Sequence, residues 1–390
     1  MNIVDRWLLP DGVEDVLPPQ AMQLEQMRRR LLDLYGRWGY EYVIPPMVEF
    51  IESLLTGTGH DLDLKTFKVT DLVTGRTMGI RADITPQAAR IDAHSLNRGG
   101  MSRLCYTGTV LYTRPENMLA SRTPIFAGAE LFGDSEGADL EIVSLMIESL
   151  KVLGIETLHI ELGDVGIFRQ LVSTAELQAY QQETLFDLVQ RKSLVGLSEC
   201  VAEYGIEPGL AESINRLPGL CGNIEVLASG KELLKGYPDI LERLENLEMV
   251  SRGLQSRYAN LDLHFDLSEL RGYSYHTGIV FAAYLPGVEQ AVAKGGRYDH
   301  VGEVFGRSRR ATGFDVHIRY LLDHAKLDET RVMVVSAPAV NDDREEQRWK
   351  KVRQLRKDGY TVVEGAMEPG TCDFKLDYQN DQWELVPVVE

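Results

Sequence analysis

Cysteine is scarce in this chain of 390 residues: there are four, Cys105, Cys200, Cys221 and Cys372. None belongs to a C-x-x-C pair or is flanked by histidine at ligand spacing, which gives no support to a zinc site or a disulfide framework. Buried, reduced thiols in a cytoplasmic protein are the expected reading. Long apolar runs are also missing. No stretch approaches the roughly 18 residues of a membrane span. The opening MNIVDRWLLPDGVEDVLPP mixes acids and prolines through its short apolar run and does not fit a signal peptide. Positive charge is in deficit, with 41 Lys+Arg against 59 Asp+Glu and a net of −18. That balance argues against broad, sequence-independent nucleic-acid binding, which depends on cations that neutralise phosphates.

What remains is ordinary for a globular chain, with 44% hydrophobic and 26% charged residues. Leu24, Met27, Leu31 and Leu34 recur at helical steps between Pro19 and Gly36. A β-type run, Tyr40 to Ile44, stops at Pro45-Pro46. Phe67–Thr70 and Thr77–Arg81 read as a hairpin turning at Thr74-Gly75. Pro86 opens a helix to about Ala93. Strands are expected at Arg103–Thr113 and Ile125–Phe132, joined by the irregular loop RPENMLASRTP, and a helix at Ala138–Leu153. Residues 165–254 read as a helical insertion broken by proline and glycine. Strands return at 261–267, Gly278–Tyr284 and Val288–Ala293; Gly295-Gly296 reads as a turn, and a helix follows Gly313. The tail reads as a β-α-β-like element starting at Val332. Strands early, helices inserted and strands late make an α+β protein with a mainly antiparallel sheet. The expected division is a core at 1–325, containing the insertion, and a short α/β segment at 329–390.

Three stretches carry a further pattern: LLDLYGRWGYEYVIPPMVEF, then LCYTGTVLYTRPENMLASRTPIFAGAELFG, then LRGYSYHTGIVF with GGRYDHVGEVFGRSRRATGFDVHIRYLL. With LPDGVEDVLPP and TGRTMGIRADITPQAARI, they resemble in order and spacing the three motifs of class II aminoacyl-tRNA synthetases. The likeness is to the histidyl-tRNA synthetase core, over roughly residues 7 to 325. The resemblance implies a six- or seven-stranded antiparallel sheet flanked by helices, and a homodimer through the first motif.

The resemblance also assigns residues. Asp83 and Thr85 take the ammonium positions, Glu130 and Tyr298 hold the imidazole, Arg271 meets the carboxylate, and Tyr275 sits beside them. Phe126 stands where a glutamine helps hold the ammonium, and His276 where a tyrosine is usual. An alternative is that Glu130 and Arg271 are a leftover buried ion pair. Tyr112 falls where the α-phosphate arginine belongs and Tyr320 where the adenine-stacking arginine belongs. A phenol does not replace a bidentate guanidinium against phosphate. The cations left for a residual phosphate or nucleotide site are Arg114, Arg122 and Arg319. The basic run at Arg307, Arg309 and Arg310 reads as solvated surface.

Residues 331–390 hold nine Lys+Arg against twelve Asp+Glu, too small and acidic a segment for a tRNA clamp. A synthetase core without activation arginines is similar to the regulatory subunits of ATP phosphoribosyltransferase. That resemblance implies a non-catalytic, cytoplasmic, allosteric protein of histidine biosynthesis. It would activate a short-form catalytic subunit, pass on feedback inhibition by histidine, and use no catalytic residue, cofactor, metal, tRNA or membrane. The alternative is an active histidyl-tRNA synthetase with divergent motifs.

Overall fold

The computed structural model describes residues 7–55, 60–115, 120–133, 136–327, 332–368 and 370–388. The chain divides into two compact units, residues 1–326 and 327–390.

The first unit is built on a nine-stranded sheet. Its order is Glu41–Tyr42, Ser102–Thr109, Ile125–Phe132, Ala311–His317, Ala293–Arg297, Ile279–Tyr284, His159–Asp164, Asp262–Asp266, Cys221–Gly222. Neighbours are antiparallel except for Glu41–Tyr42 on Ser102–Thr109 and His159–Asp164 on Asp262–Asp266. The sheet is therefore wider than expected and mixed at its flanks. Three of its central strands, Ile125–Phe132, Ala311–His317 and Ile279–Tyr284, are almost wholly buried and mostly apolar, whereas Ala293–Arg297 between the last two is only half-buried.

The helix Gln20–Arg37 packs on Ser102–Thr109 through Leu24, Met27, Leu31 and Tyr35, which share one face at steps of three and four. The helix Ala138–Lys151 packs on Ala311–His317, and Ile142, Met146 and Leu150 are fully buried. Burial of each stabilises by roughly 1.5–3 kcal/mol. Val48–Phe50, Thr77–Ile80 and Phe67–Thr70 form a separate antiparallel sheet. Between Val165 and Arg257 the chain is helical, and prolines 208 and 238 open two of the helices as first-turn residues. Within that stretch Cys221–Gly222 adds an edge strand to the main sheet.

The second unit has its own sheet, ordered Thr361–Glu364, Val334–Ala337, Phe374–Gln379, Gln382–Pro387, and the helix Glu345–Lys357. Its core contains Val335, Val352, Leu355, Leu376 and Trp383.

Several sequence expectations fail for identifiable reasons. The strand expected at Val288–Ala293 lies at Ala293–Arg297. Gly287 has φ +79°, and Val288 N donates to Leu285 O, so residues 285–292 are used in the turn. Gly295 and Gly296 are then strand rather than turn, in register with Phe281 and Val280. A Cβ on Gly295 would lie 2.2 Å from Gly313 O, so close backbone approach requires glycine there. Gly313 itself lies inside a strand, Ala311–His317, paired on both sides, and a short 3₁₀ turn at Ile318–Leu321 replaces the expected helix. The strand from Arg103 stops at Thr109. Of the loop RPENMLASRTP, residues 116–119 lie outside the described residues.

Candidate functional site

A cavity of about 250 Å³ opens in the first unit. Asp83 and Thr85 reach its wall from the connection between Thr77–Ile80 and the helix Thr85–Arg90. Glu130 comes from Ile125–Phe132, and Arg271, Tyr275 and His276 from the turn before Ile279–Tyr284. Tyr298 follows Ala293–Arg297. The six residues assigned by resemblance to a histidine pocket thus share one cavity.

Glu130 is wholly buried and accepts hydrogen bonds from Tyr106 Oη at 2.9 Å and from Tyr298 Oη. Burial pushes its carboxyl up to about 8, against the two tyrosine hydrogen bonds, which favour the carboxylate. The register Gly313↔Glu130 leaves no room for a side chain opposite it, because a Cβ on Gly313 would lie 1.5 Å from Glu130 Oε2. Tyr275 stacks on Tyr298 with ring centroids 5.1 Å apart. Its hydroxyl is buried without a hydrogen-bond partner among the described residues. Burial holds the hydroxyls of Tyr106, Tyr275 and Tyr298 well above the ordinary phenol range, so all three remain protonated.

At the Asp83 side, burial raises the carboxyl, while the Thr85 amide, which donates to Asp83 Oδ1 at 3.0 Å, and the Lys294 charge pull it down. Thr85 Oγ1 lies 3.2 Å from Tyr106 Oη. Burial lowers His276 to about 4, so its ring is neutral at physiological pH.

Arg271 does not pair with Glu130, and the leftover ion pair is not formed. Its Nη2 instead donates to Glu269 Oε2 at 2.9 Å, Glu161 Oε1 at 3.1 Å and Tyr284 Oη at 2.9 Å. Glu161, Glu269, Asp315 and Lys294 also line the cavity and were missed in the sequence reading. Lys294 stands directly before GGRYD and Asp315 within GFDVH, so both were adjacent to motifs already singled out.

A second cavity of about 310 Å³ shares Arg271, Lys294 and Asp315 with the first. Tyr112 and Tyr320 both line it. Tyr320 stacks on His317 with centroids 3.6 Å apart, and the Tyr320 amide donates to His317 Nδ1 at 3.2 Å. None of Arg114, Arg122 and Arg319 is in the wall of either cavity. Arg122 donates to the backbone oxygens of Tyr112 and Asp11. Arg319 pairs with Glu14 and donates to Ser121 Oγ, and Arg114 is exposed. The basic run is not simply solvated. Arg309 forms a buried pair with Asp92 at 2.8 Å, and Arg307 donates to Asn97 Oδ1 and Arg98 O. Among the described residues no group of three or more His, Cys, Asp or Glu side chains is placed to hold a metal ion. No described helix is long and apolar enough to cross a membrane.

The sheet and the cavity beneath it define a histidyl-tRNA synthetase-like protein. The family model described as histidyl-tRNA synthetase matches residues 12–321. The solved histidyl-tRNA synthetase of Nostoc has the same fold, with TM-score 0.76 over 95% of this chain and 91% of that one, at 18% identity. A Bacillus halodurans structure described as an ATP phosphoribosyltransferase regulatory subunit/histidyl-tRNA synthetase gives TM-score 0.81 at 26% identity over 92% of each chain. Along the full length of both sequences, the ATP phosphoribosyltransferase regulatory subunits of Saccharophagus degradans and Stutzerimonas stutzeri are each 48% identical to it. The chain belongs to the family of ATP phosphoribosyltransferase regulatory subunits.

Proposed function

We propose that this chain is the non-catalytic regulatory subunit of a short-form ATP phosphoribosyltransferase, which it activates and through which free histidine exerts feedback inhibition. The observation that carries this reading is the contrast between the two cavities. The first gathers Asp83, Thr85, Glu130, Arg271, Tyr275 and Tyr298. It presents five carboxyl groups, three cations and buried hydroxyls, a lining suited to an ammonium and an imidazole rather than to a phosphate. The second has the phenols Tyr112 and Tyr320 at the two places the synthetase motifs fill with arginine. Arg114, Arg122 and Arg319 lie outside its wall, and its cations, Arg271 and Lys294, are shared with the first. Activating an amino acid places charge on a phosphorus centre that needs fixed cations, and phenols at those two positions supply none there.

Histidine acts by linkage: it inhibits insofar as it binds one conformation of the complex better than the other. The protein assembles with itself through the first motif. There Tyr42, Ile44 and Met47 are exposed, Ile44 by 77%, beside the outer strand Glu41–Tyr42 of the sheet. The net charge of −18 and the acidic tail support a scaffold that does not bind tRNA.

The test combines the purified chain with a short-form catalytic subunit, measures phosphoribosyl transfer, and titrates histidine. Activation by this chain and inhibition lost on Glu130→Ala are expected. Histidine-dependent pyrophosphate exchange from ATP by the chain alone would instead establish a working synthetase.

A further inference from the structure

We propose that Lys294, not Arg271, reads the ligand's carboxylate, so that the pocket accepts a zwitterionic amino acid and rejects the matching amine. The inference rests on the pocket reading above and assigns the chemistry of one wall of it.

Arg271 is already engaged. One nitrogen of its guanidinium meets two carboxylates, Glu161 and Glu269, and the Tyr284 hydroxyl at 2.9–3.1 Å. Its backbone amide also donates to Glu269, at 2.6 Å. Two carboxyl groups and a hydroxyl already occupy that guanidinium nitrogen, and an arriving carboxylate would have to displace them.

Lys294 is differently placed. It lines both cavities, half-buried, on Ala293–Arg297, next to the strand carrying Asp315 and one strand further from the one carrying Glu130. Its register partners are Asp315 and Ala282, yet its ammonium forms no salt bridge or hydrogen bond among the described residues. Burial raises the Asp83 carboxyl, and the Lys294 charge reaches it and offsets part of that rise. A cation without a salt bridge among the described residues, sharing the cavity wall with the buried Asp83, gives a dipolar ligand one end for each of its charges. An α-amino acid fits that polarity, with its ammonium toward Asp83 and its carboxylate toward Lys294. An amine lacking the carboxylate leaves Lys294 unmatched.

The test is calorimetric titration of the full chain with histidine and with histamine, which keeps the imidazole and ammonium but has no carboxylate. Wild type should prefer histidine at least tenfold. Lys294→Met should weaken histidine on the order of 10- to 100-fold and histamine by less than about threefold, collapsing the preference. Lys294→Arg keeps the charge and should keep the preference, which separates loss of recognition from loss of folding. If the preference survives Lys294→Met and collapses in Arg271→Gln, the inference is overturned while the pocket reading stands. A folded wild type that binds neither compound overturns the pocket reading and the inference with it.

Discussion

Replacing Glu130 by glutamine should change how the stability of the first unit depends on pH. Glu130 is wholly buried, and burial raises its carboxyl from an ordinary 4.5 to about 8. Between those values the native state keeps a proton that the unfolded chain has released. The native state therefore binds more protons, and stability falls as pH rises. Each unit is worth about 1.4 kcal/mol, so the full interval costs on the order of 5 kcal/mol, and the span from about pH 5.5 to about pH 8 costs roughly 3 kcal/mol. Glutamine has the shape of the protonated acid and cannot ionise. Other groups titrate alike in both proteins and cancel in the difference. Urea unfolding of wild type and Glu130→Gln at several pH values should show wild type losing roughly 3 kcal/mol relative to the variant across that span. A difference constant to within about 1 kcal/mol would refute the claim that Glu130 is held protonated by burial. Bound histidine adds a check. An imidazole N–H donating to Glu130 favours the carboxylate, so binding near neutral pH should release a proton, seen as a buffer-dependent heat.

Gly313→Ala places a Cβ 1.5 Å from Glu130 Oε2, and the strand or the carboxyl must move. A loss of about 2–4 kcal/mol in denaturant unfolding, together with lost histidine binding, is expected. Asp92→Ala removes the 2.8 Å carboxylate partner of the buried Arg309, and unfolding should show a cost of about 3–5 kcal/mol. Ile44→Glu puts a charge on the exposed apolar strip after Glu41–Tyr42, and light scattering should find a dimer for wild type and a monomer for the variant. An unchanged mass would remove the first motif from the proposed interface.

The local elements were legible because their signals are local. The periodicity of Leu24, Met27 and Leu31 fixes the buried face of Gln20–Arg37, and Pro208 and Pro238 mark helix starts within the insertion. The motif residues Asp83, Thr85, Glu130, Arg271, Tyr275 and Tyr298 could be named from sequence as a set, and the fold brings them to one cavity. Absence was informative as well: tyrosines stand at 112 and 320, and the chain is short of cations overall.

Tertiary structure alone decided who meets whom. Arg271 is engaged by Glu161, 110 positions away, and by Glu269, two positions away, and no periodicity encodes the first of those pairings. Arg309 looked like one of a surface run until Asp92, 217 positions earlier, was placed against it. The strand Ala293–Arg297 runs through two glycines that suggest a turn, because its register is set by Ile279–Tyr284 and Ala311–His317 on either side. Chain-local propensity and motif spacing specify which groups are present. Their charges, protonation states and pairings depend on distances and burial, which exist only after the sheet closes around them. The deficit of positive charge that marks the whole sequence thus takes a local meaning at Lys294, a cation that the fold leaves without a salt bridge among the described residues.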